Sequence, residues 1–159
     1  MKKITSFEIN HLDLLPGVYV SRLDPVGDQW VTTLDIRMKA PNREPVINNG
    51  ELHAMEHLGA TFLRNHPAHS EDILYFGPMG CRTGFYLLLK GDWSSRKALP
   101  LVTELFKFMA DFDEEVPGAA ARDCGNYLDM NLPMAKYEAN KFYTEVLTQI
   151  KDENLEYPE

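Results

Sequence analysis

The chain has 159 residues, 44% of them hydrophobic, which is enough to bury the core of one domain. Its 24 acidic and 16 basic residues give a net charge of −8, which disfavours binding to nucleic acid because phosphate backbones require a basic surface. No apolar run is long enough for a membrane-spanning helix, and residues 1–8 lack the apolar centre of a signal peptide. We therefore expect a single cytoplasmic domain over residues 1–159.

The first half of the chain predicts a β-hairpin followed by a helix. A strand is predicted over residues 17–23, a turn over 24–28, and a second strand with alternating polar and apolar residues through Met38. Such alternation is typical of an antiparallel pair with one buried face. The helix is predicted to begin at Asn48 or Asn49, which are plausible N-caps, and to end near Asn65, before His66-Pro67.

Two short strands, at residues 73–76 and 85–89, are predicted next, with a turn-rich loop between them. A second helix is predicted from Ser94 or Ser95 to about Phe112. Pro100 should lie in its first turn or kink it.

A third helix is predicted from Pro133 to about Lys151, with Asn131 as a candidate cap, and the acidic tail 152–159 is expected to fray. The order β-β-α-β-β-α-α predicts an α+β fold in which helices pack on an antiparallel sheet. The sequence leaves open whether that sheet is a barrel.

The segment His53-Ala54-Met55-Glu56-His57 has the spacing of a metal site on a helix. Residues four apart differ in direction by about 40°, so both imidazoles leave one helix face. Glu56 is about 60° to the other side of His53, where a carboxylate can handle protons at a metal-bound group. The alternative is a polar face that binds no ligand, and a third ligand decides between the two.

The two cysteines, Cys81 and Cys124, lie in polar, turn-rich segments. Because a cytosolic setting keeps thiols reduced, they are candidates for a soft metal ligand, a reactive thiol, or one of each. The alternative is that both are small buried hydrophobic residues, the commonest fate of a free cysteine. Their polar surroundings favour the functional interpretation.

Taken together, the motifs resemble those of the S-ribosylhomocysteine lyase (LuxS) family, whose members make the precursor of the autoinducer-2 signal. The resemblance spans nearly the whole chain, with the motifs in the same order and spacing. The matching segments are Ser6-Phe7-Glu8 with His11, Asp35-Ile36-Arg37 followed by Pro41-Asn42, His53-x-x-Glu56-His57-Leu58, Arg64 with His66, Pro78-Met79-Gly80-Cys81-Arg82-Thr83-Gly84, and Cys124-Gly125.

The resemblance implies metal-dependent cleavage of S-ribosylhomocysteine to homocysteine and 4,5-dihydroxypentane-2,3-dione by carbonyl migration and β-elimination. It implies a homodimer whose active sites lie at the interface, with one divalent metal per subunit. A two-histidine, one-cysteine donor set is compatible with Fe²⁺, Zn²⁺ or Co²⁺, and the resemblance implies Fe²⁺ as the native metal.

The resemblance also implies a role for each matching residue. The expected metal ligands are His53, His57 and Cys124, with an exchangeable fourth position, and the expected acid–base residues are Cys81 and Glu56. The expected substrate-binding residues are Ser6, His11, Arg37 and Arg64.

The sequence does not decide the roles of two features near Cys81. Arg82 can support a Cys81 thiolate or be an ordinary surface charge. The family often carries an acidic residue and a serine where this chain has Tyr75-Phe76-Gly77, so the anchoring of the polar end of the substrate is in doubt here.

Two other functions are compatible with parts of the sequence. A zinc peptidase with an inverted His-x-x-Glu-His motif needs a carboxylate as third ligand, for which Glu104, Glu114, Glu138 and Glu145 are candidates. A non-enzymatic binding module stapled by metal needs a fourth protein ligand, for which His66 and His69 are candidates.

Overall fold

The computed structural model describes residues 2–159; Met1, where the expected domain begins, lies outside this range. The described part contains four strands, β1 (Gly17–Val26), β2 (Gln29–Arg37), β3 (Ile73–Pro78) and β4 (Gly84–Lys90), and three helices, α1 (Asn49–Arg64), α2 (Ser95–Asp111) and α3 (Leu132–Glu145). The predicted order β-β-α-β-β-α-α and the α+β class are confirmed. No helix among residues 2–159 has both the length and the apolar character needed to span a bilayer.

The four strands form one antiparallel sheet in the order β1-β2-β4-β3. Within residues 2–159 the outer strands, β1 and β3, do not pair with each other, so the sheet is open and not a barrel. The register places Arg37, the last residue of β2, opposite Gly84, the first residue of β4. The end of β2 therefore lies next to the turn that contains Cys81.

The helices cover one face of the sheet and enclose the core. Leu34 and Ile36 of β2 belong to it and Thr32 is fully buried, which confirms the predicted alternation on that side. On the helix side, Gly59 allows close approach, because a Cβ atom at this position would lie 2.2 Å from the Phe76 ring. This contact packs α1, with its histidines, directly against β3.

The opposite face of the sheet was expected to be solvated, and this is wrong at the end of β2. Asp35 and Arg37 are only 1% and 3% exposed, and Lys39 just beyond them is also buried. The cause is non-local: Asp35 pairs with Arg37 and accepts a hydrogen bond from Tyr157, whereas Lys39 pairs with Glu138 of α3.

The C-terminal tail is ordered, so the expectation that it frays is wrong. After α3, which ends at Glu145 and not near Lys151, residues 147–149 and 152–154 form single 3-10 turns. Leu155 is buried in the core, and its carbonyl accepts a hydrogen bond from Ser95 Oγ at 3.0 Å. Burial of an apolar side chain and satisfaction of the backbone hold the tail in place.

Caps were predicted for two helices, α1 and α3, and only the cap of α3 is confirmed by a side-chain hydrogen bond; α2 has a cap as well. Ser94 Oγ accepts from the Lys97 N–H at the start of α2, and Asn131 Oδ1 accepts from the Met134 N–H at the start of α3. Asn48 occupies the cap position of α1, but its side chain donates to Glu51 and caps no backbone group. Pro100 is the sixth residue of α2, so of the two predicted alternatives, a place in the first turn or a kink, the first is wrong.

Candidate metal centre and its surroundings

Helix α1 brings His53 and His57 together on one face, as the four-residue spacing predicted. The two rings have centroids 4.9 Å apart, and Cys124 Sγ lies 3.4 Å from His53 Nε2. One donor atom from each of the three residues lies within 4.8 Å of the other two. Cys124 reaches them from the loop of residues 112–131, which joins α2 to α3.

Backbone carbonyls of that loop orient both imidazoles. His53 Nδ1 donates to Asp129 O at 2.9 Å, and His57 Nδ1 donates to Pro117 O at 2.8 Å. Because a carbonyl only accepts, a neutral ring must keep its proton on Nδ1 and leave the Nε2 lone pair free. Metal-binding histidines show this same outer hydrogen bond.

The loop approaches His57 closely at Gly118. This residue has a φ of +73°, in the left-handed region, and a Cβ atom here would lie 3.2 Å from His57 Nδ1. Glycine therefore satisfies both the backbone conformation and the space next to the ring.

The cluster has three donors, and within residues 2–159 no fourth His, Cys, Asp or Glu joins the group whose donor atoms all lie within 4.8 Å of one another. His66, one candidate for a fourth ligand, instead bonds Glu104 at 3.0 Å and stacks on His69. Glu104 and Glu138, two candidates for a peptidase carboxylate, contact His66 and Lys39. Two imidazole nitrogens and one thiolate suit a borderline-soft divalent cation, so the residues present fit the metal that the family implies.

Glu56 lies beside the cluster, with Oε2 3.6 Å from His57 Nε2. Together with His53 it lines a cavity of about 430 Å³, whose far wall includes Gly80 and Arg82 of the β3–β4 turn. Cys81 lies between those two residues in the chain. The fold therefore brings the turn that carries Cys81 to the cavity lined by the carboxylate of α1.

Cys81 is exposed, and a polar network surrounds its sulfur. Its Sγ lies 3.0 Å from Thr83 Oγ1 and 3.9 Å from an Arg37 guanidinium nitrogen, which also donates to Thr83 Oγ1 at 2.7 Å. Cys124 is partly buried, so neither cysteine is a buried hydrophobic residue as the alternative proposed.

Arg37 keeps its charge although it is buried. Desolvation acts to lower its pKa, but the Asp35 carboxylate, which accepts two hydrogen bonds from it at 3.0 and 2.5 Å, outweighs that effect and raises the pKa above the ordinary value. A permanent positive charge therefore lies near Cys81 Sγ.

Arg82, which the sequence offered as the cation beside Cys81, makes its hydrogen bond elsewhere. It has a φ of +58°, and its guanidinium donates to Ile47 O at 3.5 Å. The arginine that contacts Cys81 is Arg37, which was expected to bind substrate. The sequence contained one signal for this pairing, because Arg37 ends β2 and Cys81 precedes its neighbour β4, but the strand register was needed to use it.

The four expected substrate-binding residues are not brought together within one chain. Ser6 lines a second cavity of about 660 Å³, whereas the Arg37 guanidinium contacts Cys81 Sγ. His11 Nδ1 bonds Ile9 O, whereas Arg64 donates to Leu74 O. Tyr75, at the position where the family often has an acid, lines both cavities.

Sequence reasoning missed three residues of the network around Cys81: Asp35, Thr83 and Tyr157. Asp35 and Thr83 lie inside segments that carried the family resemblance, so their neighbours indicated them. Tyr157 gave no signal, because a tail rich in acidic residues predicts disorder.

The fold and site together define a class: a small α+β protein with a three-donor cluster able to hold a metal, next to a cavity lined by a carboxylate and by the turn that carries a free thiol. Comparison with known families narrows it. Residues 4–153 match the sequence model of S-ribosylhomocysteinase (LuxS), and this chain belongs to that family.

Several curated relatives match over their full length. The chain is 64% identical to an S-ribosylhomocysteine lyase from Clostridium beijerinckii, with 99% of each chain covered. It is 63% identical to one from Clostridium acetobutylicum and 58% identical to one from Finegoldia magna, with both chains covered completely in each case.

Proposed function

We propose that this protein is a carbon–sulfur lyase that cleaves S-ribosylhomocysteine to homocysteine and 4,5-dihydroxypentane-2,3-dione by carbonyl migration and β-elimination. The observation that carries the proposal is the convergence of His53, His57 and Cys124, beside a cavity that is lined by His53 and Glu56. Family membership and full-length similarity to proteins named as this lyase support the choice of substrate.

The proposal includes one divalent metal per chain, held by His53, His57 and Cys124, with Fe²⁺ as the native ion and Zn²⁺ or Co²⁺ as substitutes. When bound, the metal supplies a Lewis acid for substrate oxygens. The hydrogen bonds from both Nδ1 atoms to loop carbonyls support this assignment, because they fix the tautomer that binds a cation.

Glu56 and Cys81 are the proposed proton carriers. A carbon–sulfur bond beside an alcohol carbon is inert, but it breaks once a carbonyl lies two carbons away and the intervening carbon loses a proton. Moving the carbonyl along the sugar therefore requires a base that takes a proton from one carbon and returns it to the next. Glu56 lines the same cavity as Gly80 and Arg82, the chain neighbours of Cys81, which supports a substrate position between the carboxylate and the thiol.

Arg37 and Thr83 prepare Cys81 for this work. The thiolate is the form that accepts a proton, and a cation close to the sulfur stabilises it. The Arg37 guanidinium, 3.9 Å from Sγ, supplies that charge, and the Thr83 hydroxyl at 3.0 Å is within hydrogen-bonding reach. When the carbon–sulfur bond breaks, homocysteine leaves as a thiolate, which takes up a proton as it is released.

We further propose that the active protein is a homodimer with its sites at the interface. Only Ser6 of the N-terminal substrate residues reaches a cavity within one chain, whereas His11 contacts its own backbone. The same segment exposes Ile4, Phe7 and Leu12, an apolar surface suited to burial against a second copy. Ser6, His11, Arg37 and Arg64 are the proposed substrate-binding residues of this assembly.

Two further parts of the proposal concern the chain as a whole. Residues 1–159 form one lyase domain, and the protein acts in the cytoplasm, where reduced thiols at Cys81 and Cys124 are maintained. We propose neither nucleic acid nor a membrane as a partner, since the substrate is a small polar molecule and the net charge of −8 disfavours nucleic acid.

The proposed reaction is tested by release of free thiol from S-ribosylhomocysteine. We expect purified protein, loaded anaerobically with Fe²⁺, to release homocysteine, and the same preparation stripped by a chelator to release none. Absence of thiol release from metal-loaded protein contradicts the function. Sedimentation of the active preparation as a monomer contradicts the dimer alone.

A further inference from the structure

The C-terminal segment is fixed against β1 before it reaches the polar network. Asn154 Nδ2 donates to Pro16 O at 2.9 Å, and Ser95 Oγ donates to the carbonyl of the buried Leu155 at 3.0 Å. The segment passes so close to Gly17 that a Cβ atom there would lie 2.1 Å from Asn154 O. Tyr157, two residues beyond Leu155, therefore has a defined position.

Tyr157 is placed to donate one specific hydrogen bond. Its ring stacks on Tyr19 with centroids 4.8 Å apart, and its hydroxyl donates to Asp35 Oδ2 at 2.9 Å. Burial, followed by the negative charge of Asp35, raises the pKa of Tyr157 above the ordinary value for a phenol. The hydroxyl therefore remains a donor at physiological pH.

Asp35 transmits this contact to Arg37. Its Oδ2 accepts from both Tyr157 and Arg37, and its Oδ1 accepts from Arg37 Nε at 3.0 Å. Because Asp35 is 1% exposed, bulk water has little access to replace a lost donor. The orientation of the carboxylate fixes the guanidinium, whose remaining nitrogen reaches Thr83 and Cys81.

We propose that Tyr157 is a positioning residue for this site: its hydroxyl holds Asp35 so that the Arg37 guanidinium stays beside Cys81 Sγ. Tyr157 lies beyond the segment 4–153 that the family model matches. The catalytic consequence rests on the proposed lyase function, whereas the effect on the Cys81 thiol does not.

The position of Arg37 matters because the attraction between its charge and a thiolate depends on their separation. Without the phenol, Asp35 Oδ2 keeps only Arg37 as a partner, and the carboxylate is free to rotate together with the guanidinium it holds. A looser guanidinium spends less time at 3.9 Å from the sulfur. The sulfur then has a positive charge beside it for less of the time, and reactions in which Cys81 Sγ acts as a nucleophile or base slow down.

The test compares Tyr157→Phe with Tyr137→Phe in metal-loaded protein. The first substitution removes the hydroxyl and keeps the ring stacked on Tyr19, whereas the control removes a hydroxyl from a ring that is 58% exposed on α3. Two quantities are measured at neutral pH: the rate at which iodoacetamide alkylates Cys81, followed on its peptide by mass spectrometry, and kcat and KM for thiol release.

We expect Tyr157→Phe to lower the alkylation rate and kcat by about fivefold each, as for partial loss of one hydrogen bond to a charged group, and Tyr137→Phe to change neither. KM should rise in Tyr157→Phe and stay unchanged in Tyr137→Phe, because Arg37 is also a proposed substrate-binding residue. If Tyr157 had a merely structural role, the substitution would raise the alkylation rate of Cys81, since loosening of the fold makes a thiol react faster.

A double-substitution cycle tests the route through Arg37. In Arg37→Lys protein, which keeps a positive charge but lacks the fork that grips Asp35, Tyr157→Phe should have no further effect on alkylation. Unchanged or faster alkylation in Tyr157→Phe, or an equal slowing in the Arg37→Lys background, overturns the proposal. If Arg37→Lys does not fold, the comparison with Tyr137→Phe decides alone. If wild-type protein releases no homocysteine, the lyase proposal fails, and alkylation still tests Tyr157.

Discussion

The two cysteines lie in loops of similar polar composition, but the fold holds them by different means. Cys124 belongs to the loop of residues 112–131, which is tied to α1 by the hydrogen bonds of His53 and His57. Cys81 belongs to the short turn between β3 and β4, which is set by strand register. The first thiol therefore shares its anchors with the donor cluster, whereas the second depends on the sheet and on Arg37.

The largest effect should follow from substitution on the loop side. Cys124→Ala removes one of three donors, and for structural zinc sites the whole binding free energy is about 10–16 kcal/mol, so one ligand is worth roughly 3 kcal/mol. We expect metal affinity to fall by at least about a hundredfold, and thiol release to be lost with it. Metal content after gel filtration, measured by plasma mass spectrometry, checks this.

Full metal content in Cys124→Ala would favour a carboxylate as third ligand, as in the peptidase alternative. The two loops would then no longer differ in this respect, because neither cysteine would be a metal ligand.

Cys81→Ala should separate chemistry from metal binding. Loss of a general acid–base group typically costs about 10²–10⁴-fold in rate, so thiol release should fall by that factor. Metal content should equal that of wild type, since the β3–β4 turn contributes no donor to the cluster. Turnover of Cys81→Ala near the wild-type rate would contradict the proposed role, and loss of metal would contradict the independence of the two loops.

The same comparison explains what the sequence could predict. The pairing of His53 with His57 was predictable because helix geometry is local and four residues always span about one turn. The identity of the third donor came from family resemblance, because Cys124 is brought in by a loop whose path depends on tertiary contacts.

Non-local contacts also account for the failures. The tail was predicted to fray because its own sequence is acidic, but Leu155 and Tyr157 find partners at Ser95 and Asp35, far away in the chain. Likewise, Arg82 is adjacent to Cys81 in sequence, yet Arg37 contacts it because β2 and β4 are neighbours in the sheet. Propensity and spacing carry no information about such pairs.

Gly59→Ala should displace α1 without changing any residue of the two loops that carry Cys81 and Cys124. The added methyl group would lie 2.2 Å from the Phe76 ring and 2.8 Å from Met109 Cε, so α1 must shift away from β3. Overpacking of this kind costs about 1–3 kcal/mol of unfolding free energy. Because the Cys124 loop is bonded to α1, metal affinity should change little, whereas kcat should fall as Glu56 moves relative to Cys81.

Urea unfolding and metal titration of Gly59→Ala provide the measurement. Gly125→Ala is the matched control for stability, since its Cβ atom meets nothing within 4 Å. If metal affinity falls as much as kcat, the loop does not move with α1, and its two histidine hydrogen bonds are weaker ties than the distances indicate.

The smallest effect concerns pH and lies on the Cys81 side. The pKa of Tyr157 is raised by burial and then by Asp35, so its contribution to stability is fully present below the unfolded value of about 10 and is lost as pH rises above it. Above that pH, the unfolding free energy of wild type should fall by up to about 1.4 kcal/mol more per pH unit than that of Tyr157→Phe. Partial exposure of the phenol reduces this to about 1 kcal/mol. Urea unfolding at about pH 9 and 11, with Tyr137→Phe as control, measures how the difference in unfolding free energy between wild type and Tyr157→Phe decreases.

If that difference in unfolding free energy is the same at both pH values, Tyr157 ionises as easily in the folded protein as in the unfolded chain. The network beneath Cys81 would then be open to water, and the rigid anchoring that distinguishes this turn from the Cys124 loop would not exist.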